Sequence, residues 1–144
     1  MEIKGNDILG TELEFTIESE DWNQYRLADG SVLRIRPIVF KVFESPQRTL
    51  AGDPVYGFAA TNVTTVRVPN ELKQDVAEDE DIRVPVEFEP EKEVWNTYHL
   101  EGKVDLKVKL VVSKVIRTSK KNQFHEPIYI VKSGNVADAE LKKV

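Results

Sequence analysis

One stretch of this chain occurs twice. Trp22-Asn23-Gln24-Tyr25-Arg26-Leu27 returns as Trp95-Asn96-Thr97-Tyr98-His99-Leu100 after an offset of 73 positions. Without a gap, the same offset maps Lys41-Val42 onto Lys114-Val115, Pro54 and Tyr56 onto Pro127 and Tyr129, and Asn62-Val63 onto Asn135-Val136. Residues 9–71 and 82–144 agree at 16 of 63 positions by direct count, where unrelated segments of ordinary composition agree at roughly one in sixteen. We read an internal duplication. A unit of about 70 residues buries too little of its own surface to be more than marginally stable by itself. The duplication therefore predicts two tandem units, 1–72 and 73–144, joined by a linker near 69–81 and packed as one body through a shared core or a broad interface.

Each unit reads as a set of five strands, so the expected fold class is all-β, a small barrel pair or a sandwich-like body. Leu9, Thr11, Leu13, Phe15 and Ile17 alternate with polar residues, as do Ile82, Val84, Val86 and Phe88, the period of a half-buried strand. Pro85 lacks an N–H to give to a ladder, which places its strand at a sheet edge or leaves it donating only towards solvent. The segment from Asn23 leads into a tight turn. Asp29-Gly30 suits a two-residue type I′ turn, and the aligned Gly102-Lys103 suits type II′.

The next strand, 31–43, alternates through Leu33, Arg34, Ile35 and Arg36 and then runs apolar through Pro37-Ile38-Val39-Phe40. Loss of alternation signals burial on both faces, or a bulge or bend that carries the strand between sheets; the bend suits a small curled sheet. Polar loops are expected over 44–53 and 117–126. Asn62 and Asn135 are expected to turn the chain between two short strands. Helix propensity competes with the precedent of the first copy over 136–143. In the linker, Asn70 is placed to cap a helical turn, ahead of the acidic run 78–81.

Composition narrows the chemistry. The chain has no cysteine, which excludes disulfides, thiolate metal sites and cysteine nucleophiles. A net charge of -5 disfavours a general nucleic-acid binder. Residues 1–72 hold 7 basic and 11 acidic side chains and residues 73–144 hold 13 and 14. The sequence contains neither a signal-peptide run nor a stretch of about 18 apolar residues, so a cytoplasmic protein with no membrane partner is expected.

Duplicated chemistry should repeat its polar residues at the 73-residue offset, and neither histidine does: His99 aligns with Arg26 and His125 with Gly52. No phosphate-binding glycine loop, nucleophile elbow or metalloprotease motif is present. Glu14, Glu18 and Glu20 offer oxygen ligands to a hard cation, but even-numbered residues of a strand simply share its solvent face, and a solvated face is expected. Trp22, Trp95, Tyr25 and Tyr98 are either stacking platforms or the large core residues of each copy, and core packing is expected. Arg34 and Arg36, with their repeats Lys107 and Lys109, form the best basic stripe. Glu12, Glu14, Glu87 and Glu89 are expected to lie beside it and neutralise it.

These observations predict no catalytic set, no metal and no cofactor. The expected function is a non-enzymatic binding or assembly module, an accessory or structural protein whose partner is another protein or a second copy. One alternative is single-stranded nucleic-acid or polyanion binding through Arg34, Arg36, Lys107 and Lys109. Another is a small-molecule pocket between the repeats.

Overall fold

A computed structural model describes residues 10–73 and 80–141. Among these residues, ten strands make up two five-stranded antiparallel sheets. They are β1 (Thr11–Leu13), β2 (Phe15–Ser19), β3 (Asn23–Leu27), β4 (Val32–Arg48) and β5 (Pro54–Arg67), then β6 (Arg83–Pro85), β7 (Phe88–Lys92), β8 (Trp95–Leu100), β9 (Val104–Lys121) and β10 (Pro127–Leu141). The fold is all-β. Among the described residues no helix is long and apolar enough to cross a membrane.

The halves match in register as well as in strand order. Thr11 pairs with Glu44 as Val84 pairs with Arg117; Arg36 pairs with Val63 as Lys109 pairs with Val136. Each of these pairs differs from its twin by 73 positions.

The halves also exchange strands. In the first sheet β4 is flanked by β5 on one side and by β3 and β1 on the other, and β7 from the second half pairs with the outer side of β3. In the second sheet β9 takes the place of β4, and β2 from the first half pairs with β8. Phe15 lies opposite Leu100, and Phe88 lies opposite Leu27. The alternating segment 9–17 is therefore not one strand but two. It breaks at Glu14, whose carbonyl accepts the Glu101 N–H at 3.0 Å, as Glu87 accepts that of Ala28 at 2.8 Å. The chain changes partner there while staying extended, so the alternation continues through the break. Leu9 lies outside the described residues, and Ile17 is exposed.

Two hydrophobic cores result, and each draws on both halves. Leu33 and Ile35 of β4 enter the first core with Tyr25, Leu27, Val86, Leu110 and Val115. Val39 and Val42, further along the same strand, enter the second core with Tyr98, Leu100, Val104, Leu106 and Val108. A bulge between Val39 and Lys41 shifts the phase, so that Val42 rather than Lys41 points inward. The apolar run in this strand thus marks a passage from one core to the other and not, as expected, from one sheet to another, since β4 pairs with β1, β3 and β5 within the first sheet throughout.

The repeated Trp-Asn pair reverses the expected burial. Asn23, Tyr25 and Leu27 face inward by alternation, as do Asn96, Tyr98 and Leu100. Trp22 is half-buried, and Trp95 is 45% exposed on the opposite face. The asparagines tolerate burial because they bond backbone. Asn23 Oδ1 accepts the Val94 N–H at 2.9 Å, and Asn96 Oδ1 accepts that of Asp21 at 3.0 Å, each reaching into the other half.

Other local expectations also change. The first hairpin has a three-residue loop, Ala28-Asp29-Gly30, in which Gly30 alone has a positive φ of 89° and donates to Leu27 O. Asp29 instead accepts the Ser31 N–H, an interaction a two-residue type I′ turn would not favour. In the second hairpin both Gly102 and Lys103 have positive φ, 84° and 61°, which rules out type II′. Strands β4 and β9 run on to Arg48 and Lys121, because ladder pairing with β5 and β10 overrides the polar composition. Asn62 and Asn135 lie within continuous strands rather than at turns. β10 remains extended to Leu141, held by its ladder to β9; residues 142 and 143 lie outside the described residues. Among the described residues of the linker there is a 3-10 turn, Asn70–Leu72, preceded by Pro69 and without a side-chain cap. Glu78 and Asp79 lie outside the described residues.

Candidate functional site

Strand pairing assigns the four basic residues singled out by sequence to two separate sheets. Arg34 and Arg36 project from β4 opposite the inward Leu33 and Ile35, and Lys107 and Lys109 project from β9 in the second sheet. The two sheets present different surfaces.

On the first sheet the cross-strand rows read Gln24, Arg34, Thr65 and Arg26, Val32, Arg67, with Arg36 opposite Val63. Four arginines thus share the outer face of three neighbouring strands. Arg34 Nε donates to Gln24 Oε1 at 2.9 Å and has no carboxylate partner among the described residues. Arg67 is exposed and has no ion pair there either. Arg36 lies 3.7 Å from Glu20 and Arg26 lies 3.5 Å from Glu91. The half-buried Trp22 lies at the end of this face.

On the second sheet the equivalent rows read Thr97, Lys107, Asp138 and His99, Asp105, Glu140. Lys107 pairs with Glu140 at 3.4 Å, and His99 contacts both Asp105 at 2.6 Å and Glu18 at 3.3 Å. Lys109 Nζ stands 5.8 Å from the centroid of the Trp95 ring. Val32, Thr65 and Arg67 on the first face are replaced by Asp105, Asp138 and Glu140 on the second. One face therefore accumulates positive charge while its twin neutralises itself. Of the four glutamates expected there, Glu89 extends the Arg26 row on β7; the ion pairs come from Glu20 and Glu91 on the first face and from Glu140 and Asp105 on the second. Sequence spacing missed Arg26 and Arg67, since only the register of β3 and β5 on β4 brings them beside Arg34.

A groove of about 830 Å³ opens next to the Arg26 end of the first face, between the halves. Buried Leu27, Val86 and Val115 form its floor, and Arg26, Lys114, Glu87 and Glu89 lie on its rim. A polar lock holds the hairpin beside it. Tyr129 Oη donates to Asp29 Oδ2 at 2.6 Å and lies 3.0 Å from Ser31 Oγ; Arg117 donates to Asp29 Oδ2 at 3.1 Å. Burial by itself would raise the Asp29 carboxyl, but donors from Tyr129, Ser31 and Arg117 hold it below the ordinary carboxylate value. Burial, and then the Asp29 carboxylate, raise the Tyr129 phenol. In the twin location Gly102, Val104 and Glu44 replace Asp29, Ser31 and Arg117, so the lock exists once.

Among the described residues no group of three or more His, Cys, Asp or Glu side chains is arranged to hold a metal ion. Comparison with protein-family models, with curated proteins and with solved structures returns no match.

Proposed function

We propose that the chain is a non-enzymatic binding module that docks single-stranded nucleic acid on the outer face of its first sheet. The observation that carries this reading is the set Arg26, Arg34, Arg36 and Arg67 in register on adjacent strands, set against its replacement by His99, Lys107, Lys109 and Glu140 on the twin. Guanidinium groups bind phosphate through paired donors and stack on bases, which suits an extended strand laid across a sheet. Trp22 adds an aromatic edge. The net charge of -5 is no obstacle if the positive potential is local.

The test is fluorescence anisotropy with a labelled oligothymidylate at several salt concentrations. With about three net phosphate contacts, affinity should fall with a log–log salt slope of about -2. Replacing Arg34 and Arg67 by Ala should weaken binding and flatten the slope, whereas replacing Lys107 and Lys109 should leave both unchanged. Equal effects from the two pairs, or no binding at low salt, would refute this reading.

A second reading, assembly with a protein or a second copy, draws on the sheet edges. Among the described residues β5 pairs only with β4 and β10 only with β9, and such edges are templates for strand addition. Sedimentation velocity over a hundredfold concentration range tests it, with a constant monomer counting against self-assembly.

A further inference from the structure

The groove beside Arg26 has a twin position in the same chain, where Arg26 and Glu89 become His99 and Thr16 but three other lining residues differ in the opposite sense. Glu101 and Lys103 at the twin correspond to Ala28 and Gly30 at the groove, and Phe40 corresponds to Ser113. Each exchange removes side-chain bulk from the groove while strand register stays the same. The charge pattern changes as well. At the twin, Lys41 Nζ lies 3.4 Å from Glu12 Oε1; at the groove, Lys114 keeps the lysine but Pro85 stands where Glu12 would be, and Lys114 has no ion pair among the described residues. Next to its lysine the groove therefore lacks the Phe40 and Glu12 side chains of the twin, where Phe40 is 54% exposed, has Glu89 in place of Thr16 further along the rim, and retains the lysine and the apolar floor.

We infer that this groove binds a small amphipathic monocarboxylate, an aryl or alkyl body with one carboxylate, which replaces what Phe40 and Glu12 supply at the twin. The apolar body lies on Leu27, Val86 and Val115, and the carboxylate meets Lys114. A volume of about 830 Å³ lies within the range of small-molecule sites. Glu87 and Glu89 on the rim disfavour a second negative charge on the ligand. Arg26 belongs to both the arginine face and the groove rim, but the residues changed in the test, Lys114, Ser113 and Pro85, lie outside the arginine face, so the two readings fail separately.

Isothermal titration of the full chain with 3-phenylpropionate, 4-phenylbutyrate and octanoate, each beside its matching alcohol, tests the assignment. At least one acid should bind at least tenfold more tightly than its alcohol. Lys114→Gln should remove that preference. The pair Ser113→Phe and Pro85→Glu, which imports the twin's residues into a backbone that already accommodates them there, should abolish binding without lowering the melting temperature by more than a few degrees. If that pair unfolds the chain, Ser113→Leu provides the same steric block. No acid binding at millimolar concentration, equal affinity for acids and alcohols, or binding that survives a folded blocking variant overturns the inference.

Discussion

Tyr98 donates its phenolic hydrogen to Glu20 at 2.7 Å, across the boundary between the two halves. Its twin, Tyr25, donates to Glu93 at 2.9 Å in the reverse direction. Both rings are fully buried, with Phe15 edge-on to Tyr98 and Phe88 edge-on to Tyr25. The environments of the two acceptors differ. The Glu20 side chain is only 6% exposed and also faces Arg36, whereas Glu93 is exposed.

Removing the two hydroxyls should therefore have unequal effects. Tyr98→Phe leaves a buried carboxylate short of a donor and should cost about 2 to 3 kcal/mol, and Tyr25→Phe about 1 kcal/mol. Urea denaturation of both variants at pH 7 checks this. Equal costs would mean that burial of the acceptor does not govern the pair.

Alkaline pH should destabilise the fold before any backbone chemistry begins. Burial, and then the acceptor carboxylates Glu93, Glu20 and Asp29, raise the phenols of Tyr25, Tyr98 and Tyr129 above the ordinary value of 10.0. As pH rises past that value the unfolded chain releases these protons first, so stability is present below pH 10 and is lost above it. At the acid end the sign reverses. Asp29 is held below its ordinary 3.8, so its contribution is present above that value and declines as pH falls through the folded pKa. Urea midpoints between pH 2 and pH 11 measure both limbs. A flat alkaline limb would contradict the buried phenols.

A fragment ending at Lys73 loses β7, which pairs with β3, and β8, the partner of β2. It should be unfolded as a monomer, or should form a homodimer in which each β2 pairs with the partner's β3. Sedimentation velocity with circular dichroism melting distinguishes these states. A fragment that melts cooperatively as a monomer would show that strand exchange is dispensable.

Trp95→Ala should change stability by less than about 1 kcal/mol because the side chain is 45% exposed. Leu106→Ala, at 1% exposure in the second core, should cost about 2 to 5 kcal/mol. Thermal melts of the two variants under one buffer condition give the comparison. A larger cost for the tryptophan would restore it to the core.

The sequence by itself determined the all-β class and the offset of 73 positions at which strand register recurs. It placed Pro85 at a sheet edge and located the interruption in β4, though not that this interruption joins two cores within one sheet, because period-two alternation and its interruption are properties of neighbouring residues. Alternation does not say which strand lies alongside. Segment 9–17 therefore read as one strand, although its two pieces pair with β4 and β8. Likewise Trp22 and Trp95 read as core, since the asparagines beside them are buried only through backbone partners in the other half. Arg34 and Arg36 were legible in the chain, but Arg26 and Arg67 joined them only through pairing across β3, β4 and β5. A pocket between the repeats was among the alternatives the sequence offered, but its lining was beyond sequence reading for the same reason. Its floor and rim come from both halves, and tertiary structure alone decides which residues face one another across a space.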